Sequence, residues 1–195
     1  MLNAREKKLQ AMYSEREEDK FKKFADLFTE AESLEKELEI ESASYFQPSI
    51  NELRYAGKHI SIYLVNQEDS AYDKAISHTL RAIYDARDML ILLYLEKINN
   101  FEKVYKSISI TNCITNWAQV RTKVNKIKKL SSNPEFKNNR KEFDETYNEL
   151  KDIWDLLEAA VPELDKQQNS NKKNLVITII SIIVAILSAV IAVLK

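Results

Sequence analysis

The chain is poor in the residues that break or staple a backbone: its 195 residues hold one glycine, three prolines and one cysteine. So little glycine and proline, with no run alternating apolar and polar residues, excludes a turn-rich β fold and predicts an all-α protein. Cys113 as the sole cysteine excludes an intramolecular disulfide and fits a reducing compartment. With two histidines and no Cys pair, no His-x3-His and no Gly-rich phosphate loop, neither metal nor cofactor is expected. Charge of one sign is also missing: 29 Lys+Arg face 30 Asp+Glu, which argues against a general nucleic-acid surface. Nothing near Met1 has the charged, apolar, small-residue order of a signal peptide.

What is present is helical periodicity. A charged amphipathic segment over 1–45 places Phe21, Phe24, Phe28, Ala31 and Leu38 near one face. A helical bundle is expected over 49–162. Ser49 followed by Glu52 has the form of a capping box and predicts a second helix from Ile50, with the stripe Ile50, Leu53, Gly57, Ile60 and Leu64. A third, central helix is capped by Ser70 and Asp73. It turns apolar on all sides at 89–95 and bends or breaks at Asn99 and Asn100. Arg87 interrupts its stripe and needs a carboxylate or a subunit boundary. A fourth helix carries Trp117, Val120, Val124 and Ile127 on one face. Asn133 and Pro134 open a fifth, which stops at Pro162 before a polar tether over 163–174.

Residues 175–194 then run without a charge. At about 1.5 Å rise per residue such a helix is about 30 Å long, the thickness of a bilayer's hydrocarbon core, and it predicts a single transmembrane helix. Its place in the sequence predicts a tail anchor. The lysines before it, Lys166, Lys172 and Lys173, against Lys195 after it, predict that the helical part is cytoplasmic. Within the run Thr178, Ser181, Ala185, Ser188 and Ala192 recur at helical spacing, a small, weakly polar face of the kind through which membrane helices pack together. A homo-oligomer held by these faces, or a pore lined by them, is expected.

Three other constellations are candidates for chemistry. Arg54 and His59 stand in RYAGKH, about 140° apart around a regular helix, with Gly57 between them. They form either a phosphate-binding arginine with an acid/base histidine, or a close helix contact at the glycine. His78, Arg81, Asp85 and Asp88 share a face of the third helix, as a solvated row or, with both histidines, as the lining of a cleft. Arg121, Lys123, Lys126, Lys128 and Lys129 form the basic side of the fourth helix. They are the best local place for RNA, a nucleotide phosphate or anionic lipid, unless they are only an ordinary solvated face.

The Arg-x4-His form in a small all-helical chain resembles the HEPN-type ribonucleases, and that resemblance implies a metal-independent nuclease in which Arg54 contacts phosphate and His59 moves protons. The layout, a small helical domain with one membrane helix and a composition rich in Lys, Ile and Asn, resembles accessory effectors of bacterial antiphage systems, including those beside RNA-targeting CRISPR nucleases. The expectation is a membrane effector of the bacterial inner membrane that oligomerises and perturbs or permeabilises it, triggered by an RNA, nucleotide or protein. A membrane-tethered HEPN-like ribonuclease and a non-enzymatic adaptor or tether are the alternatives.

Overall fold

The structure, a computed structural model, describes the backbone of residues 4–133, 135–136 and 139–193 and, within them, the side chains of 15–184. Among the described residues there is no strand. The helices are α1 (Ala4–Ser42), α2 (Gln47–Asn66), α3 (Asp69–Val104), α4 (Trp117–Ser131) and α5 (Arg140–Val193), with a 3-10 turn at Ile110–Asn112. The protein is therefore all-α, as its composition predicts. It divides into two units, Met1–Leu93 and Tyr94–Lys195, with the division inside α3.

In the first unit α1 buries Ala31, Leu34 and Leu38, the three-four spacing expected of it. The predicted face of α2 holds in part: Ile60 packs against the core of Tyr63, Ala71 and Tyr72, and Ile50 and Leu53 are half-buried. Ser49, Ala56 and Tyr63 are its buried residues, whereas Leu64 is 55% exposed. The reason lies in distant partners. Lys20 on α1 donates to the Tyr63 hydroxyl at 2.8 Å and to Asp69 at 2.6 Å, and sits 4.9 Å from the centre of the Tyr63 ring. The Tyr63 hydroxyl in turn donates to Glu17. This knot, closed by Tyr72 donating to the Lys20 carbonyl at 3.0 Å, turns Tyr63 inward.

Ser49 is not a helix cap. The helix begins at Gln47 with Pro48 in its first turn, a position where the missing N–H costs nothing. The Ser49 hydroxyl donates to the Glu35 carboxylate of α1. Burial, aided by the charge of Asp85 on α3, pushes Glu35 up to about 7. Ser70 and Asp73 likewise lie within α3, which starts at Asp69. Asn99 and Asn100 do not interrupt it: the helix continues to Val104 because Ile98 and Phe101 beside them are buried. The apolar stretch 89–95 is not covered on all sides, since Met89 and Leu92 are 38% and 53% exposed. Arg87 meets the carboxylate it was expected to need, Glu30 on α1, at 2.5 Å.

Gly57 is not the close contact suggested by the sequence. A methyl group built on it would meet no heavy atom within 4 Å outside its own turn. The close-packed positions are instead alanines: Ala31, Ala56, Ala75, Ala82 and Ala86 are all fully buried or nearly so. Because its φ is not positive, Gly57 pays the helical cost of glycine and returns no packing. Gly57→Ala should raise the unfolding free energy by about 1 kcal/mol. Chemical denaturation measures this, and a loss of stability would show that something docks against the bare backbone there.

In the second unit Trp117, Val120, Val124 and Ile127 are buried along α4, as their spacing predicts. On α5, which packs against α4, Phe143, Tyr147, Leu150 and Leu157 are buried. That helix starts later than expected, at Arg140. Asn139 caps it, its Oδ1 accepting from the Glu142 N–H at 3.4 Å while its Nδ2 donates to the Glu142 carboxylate at 3.1 Å. Asn133 accepts from the Glu135 N–H at 3.0 Å, and Pro134 lies outside the described residues.

The largest departure is at Pro162, where α5 does not stop. The residues after it are held by the second unit itself. Leu164 is fully buried, Tyr105 donates to Asp165 at 2.7 Å, and Gln168 donates to the Val104 carbonyl at 3.1 Å. Gln167 reaches Cys113 Sγ at 3.1 Å. These contacts outweigh the roughly 3 kcal/mol that an interior proline costs a helix, so the expected tether is helical. The expected membrane span falls on the far end of this helix. Its side chains beyond Val184, including Ala185, Ser188 and Ala192, lie outside the described residues. Among the described residues no helix is long and apolar enough to cross a membrane.

Candidate functional site

The first unit brings the chain's two histidines together. His59 on α2 and His78 on α3 stack with ring centres 5.2 Å apart and planes 5° from parallel. The Glu52 carboxylate, two turns before His59 on α2, lies 2.6 Å from His78 Nδ1, and both groups are about four-fifths buried. The ring of Tyr55 completes the group, 5.4 Å from His78. Glu52, Tyr55 and His59 share one face of α2 because their steps are three and four.

His59 is held below the usual histidine range, first by burial, then by His78, Lys74 and Lys58. Its neutral form is therefore favoured. The group is a carboxylate–imidazole pair, Glu52 with His78, and the His59 imidazole stacks against it. Glu52 was legible only as half of a capping box; its place on the face of His59 was the signal for this role.

Arg54 does not join the group. Its guanidinium is exposed and donates to Asn51 one turn back at 3.2 Å. In the row on α3 His78 meets α2. Arg81 is exposed, Asp85 lies near enough to Glu35 to influence its proton, and Asp88 is half-buried.

Three of the five basic residues on α4 are engaged by carboxylates. Arg121 and Lys128 both reach Glu102, at 3.2 and 3.8 Å, and Lys123 reaches Glu149 of α5 at 2.8 Å. Lys126 and Lys129 are exposed. Among the described residues no group of three or more His, Cys, Asp or Glu side chains is placed to hold a metal ion.

A second feature lies at the far end of α5, where Leu175, Val176, Ile177, Ile179, Ile180, Ile182, Ile183 and Val184 are each between 48 and 60% exposed. At 100° per residue they cover about 220° of the helix, and Thr178 and Ser181 fill the remaining arc. Thr178 and Ser181, set among them, return their hydroxyls to carbonyls four residues back, Asn174 at 2.8 Å and Ile177 at 2.9 Å. Comparison with known protein families, curated proteins and solved structures finds no match.

Proposed function

We propose that the chain is a membrane-anchored effector: the distal part of α5 enters a lipid bilayer, associates there with other copies, and perturbs or permeabilises the membrane. The observation that carries this reading is the apolar surface over 175–184, exposed around more than half of one helix and interrupted only by Thr178 and Ser181. A contiguous apolar surface of this kind is unfavourable in water and favourable in hydrocarbon. The back-bonded hydroxyls of Thr178 and Ser181 support it, since they would leave no unsatisfied donor in lipid. The sequence beyond continues uncharged to residue 194.

Self-association follows from the small face. Thr178 and Ser181 begin it, and Ala185, Ser188 and Ala192 continue it in the sequence. In this reading the membrane is the bacterial inner membrane, the helical part lies on its cytoplasmic side, and the antiphage role rests on the likeness of layout.

The tethered ribonuclease is the second reading. The histidine pair favours it by supplying an acid/base group, while the separation of Arg54 from His59 weighs against the motif as first read.

Induced expression with a potential-sensitive dye, alongside total RNA integrity, tests both. Expected is a depolarisation that survives combined Arg54→Ala and His59→Ala and vanishes when 175–195 is removed or randomised. RNA decay with an intact potential, abolished by the same two substitutions, would overturn the effector reading in favour of the nuclease. No change in either would leave the adaptor.

A further inference from the structure

Just before the apolar surface, α5 carries an open groove of about 500 Å³ lined by Pro162, Asp165, Lys166, Asn169, Ser170 and Lys173. Lys166, Asn169, Ser170 and Lys173 stand at i, i+3, i+4 and i+7, one face of the helix. The charges within the groove do not cancel. Asp165 accepts the Tyr105 hydroxyl, which occupies one of its oxygens. Lys166 has only an exposed one-turn pair with Glu163 at 3.7 Å, the weakest class of ion pair. Lys173 has no ion-pair partner among the described residues, and no acidic residue follows Asp165 in the sequence.

Position then selects the ligand. At about 1.5 Å per residue Lys173 lies about 3 Å outside Leu175, within a headgroup layer that is about 5 to 7 Å deep on each side of a bilayer. Asn169 and Ser170 follow at about 8 to 9 Å. Lys166 lies about 14 Å out, where its charge adds to that of Lys173 across the layer's edge.

We propose that this groove is a headgroup site, in which Lys166 and Lys173 neutralise the phosphate of an anionic phospholipid and Asn169 and Ser170 donate hydrogen bonds to its oxygens. The site rests on the membrane reading above and deepens it, because it names the lipid class that the anchor prefers. Gln167 and Gln168, on the other side of the helix, hold Cys113 and the end of α3, so the groove face is presented by a docked helix.

Co-flotation of the full-length chain with phosphatidylcholine vesicles, and with the same vesicles containing phosphatidylglycerol, tests the inference. The anionic vesicles should bind more tightly, and Lys166→Gln with Lys173→Gln should remove most of that preference, roughly fivefold for each lysine. Binding to phosphatidylcholine should be unchanged. Lys22→Gln with Lys23→Gln removes the same charge from the exposed side of α1 and should leave the preference intact; an equal loss would overturn the groove in favour of overall charge. Inorganic phosphate should not compete; if it does, the site takes free phosphate. Equal binding to both vesicles by all variants would overturn the lipid site and leave the membrane anchor standing. No binding to either vesicle would overturn the anchor itself.

Discussion

Lysine at both Ile179 and Ile183 is expected to release the full-length chain from membranes. Both side chains are about half exposed, one turn apart on α5, so the substitutions break no contact within the chain and act only on what surrounds it. A lysine near the middle of a membrane helix costs about 2.5 to 3.5 kcal/mol on insertion scales. Discounting for stems that reach toward the headgroups, the pair should cost about 4 kcal/mol, roughly a thousandfold in partition. Fractionation of cells into membrane and supernatant measures it.

The same substitutions separate lipid from the other cover available to such a surface, a second copy of the helix in water. If copies cover one another, the unsubstituted chain stays in the supernatant as an oligomer and the lysines turn it monomeric. An unsubstituted chain found in the supernatant would therefore end the membrane proposal, whatever the lysines do.

Pro162→Ala should stabilise the second unit. Proline at this position removes an N–H and crowds the carbonyl one turn back, at Glu158, and the unit tolerates this because Leu157 and Leu164 on either side are fully buried. Alanine restores the donor without disturbing a buried group, since Pro162 itself is exposed. Of the roughly 3 kcal/mol that separates the two residues in a helix interior, about 1 to 2 kcal/mol should be recovered, because the surrounding turns have already adjusted to the ring. That corresponds to a rise in Tm of about 5 to 10 °C for a unit of this size. A lower Tm would mean that the course of the helix at the proline is needed to seat Leu164 and Asp165.

These two sites also show where sequence reading succeeds and fails. The α4 stripe and the Ala31, Leu34 and Leu38 face of α1 were legible because each has one apolar side and one charged side, so period alone settles what is buried. On α2 the apolar and aromatic residues Ile50, Leu53, Tyr55, Ala56, Ile60, Ile62, Tyr63 and Val65 surround the helix, and period cannot choose. Lys20, more than forty residues away, chooses Tyr63.

Ser49 and Pro162 were misread for a related reason. Both follow local rules of helix ends, and both are overruled by partners remote in the sequence: Glu35 for the serine, and Val104, Tyr105 and Cys113 for the turns after the proline. In the candidate site, the two histidines stood out by their rarity, and the cleft reading anticipated that they belong together. The carboxylate that completes the pair did not stand out among 30 acidic residues.

The arrangement of the two units has a practical consequence for optical work on this protein. Both tryptophans, Trp117 and Trp154, belong to the second unit, and Trp117 is buried there. Indole emission is thus blind to the first unit, whose aromatic content is tyrosine and phenylalanine. Melting followed by that emission and melting followed by helical ellipticity will coincide only when the two units lose their structure together, so an unlabelled chain carries its own test of whether they unfold as one.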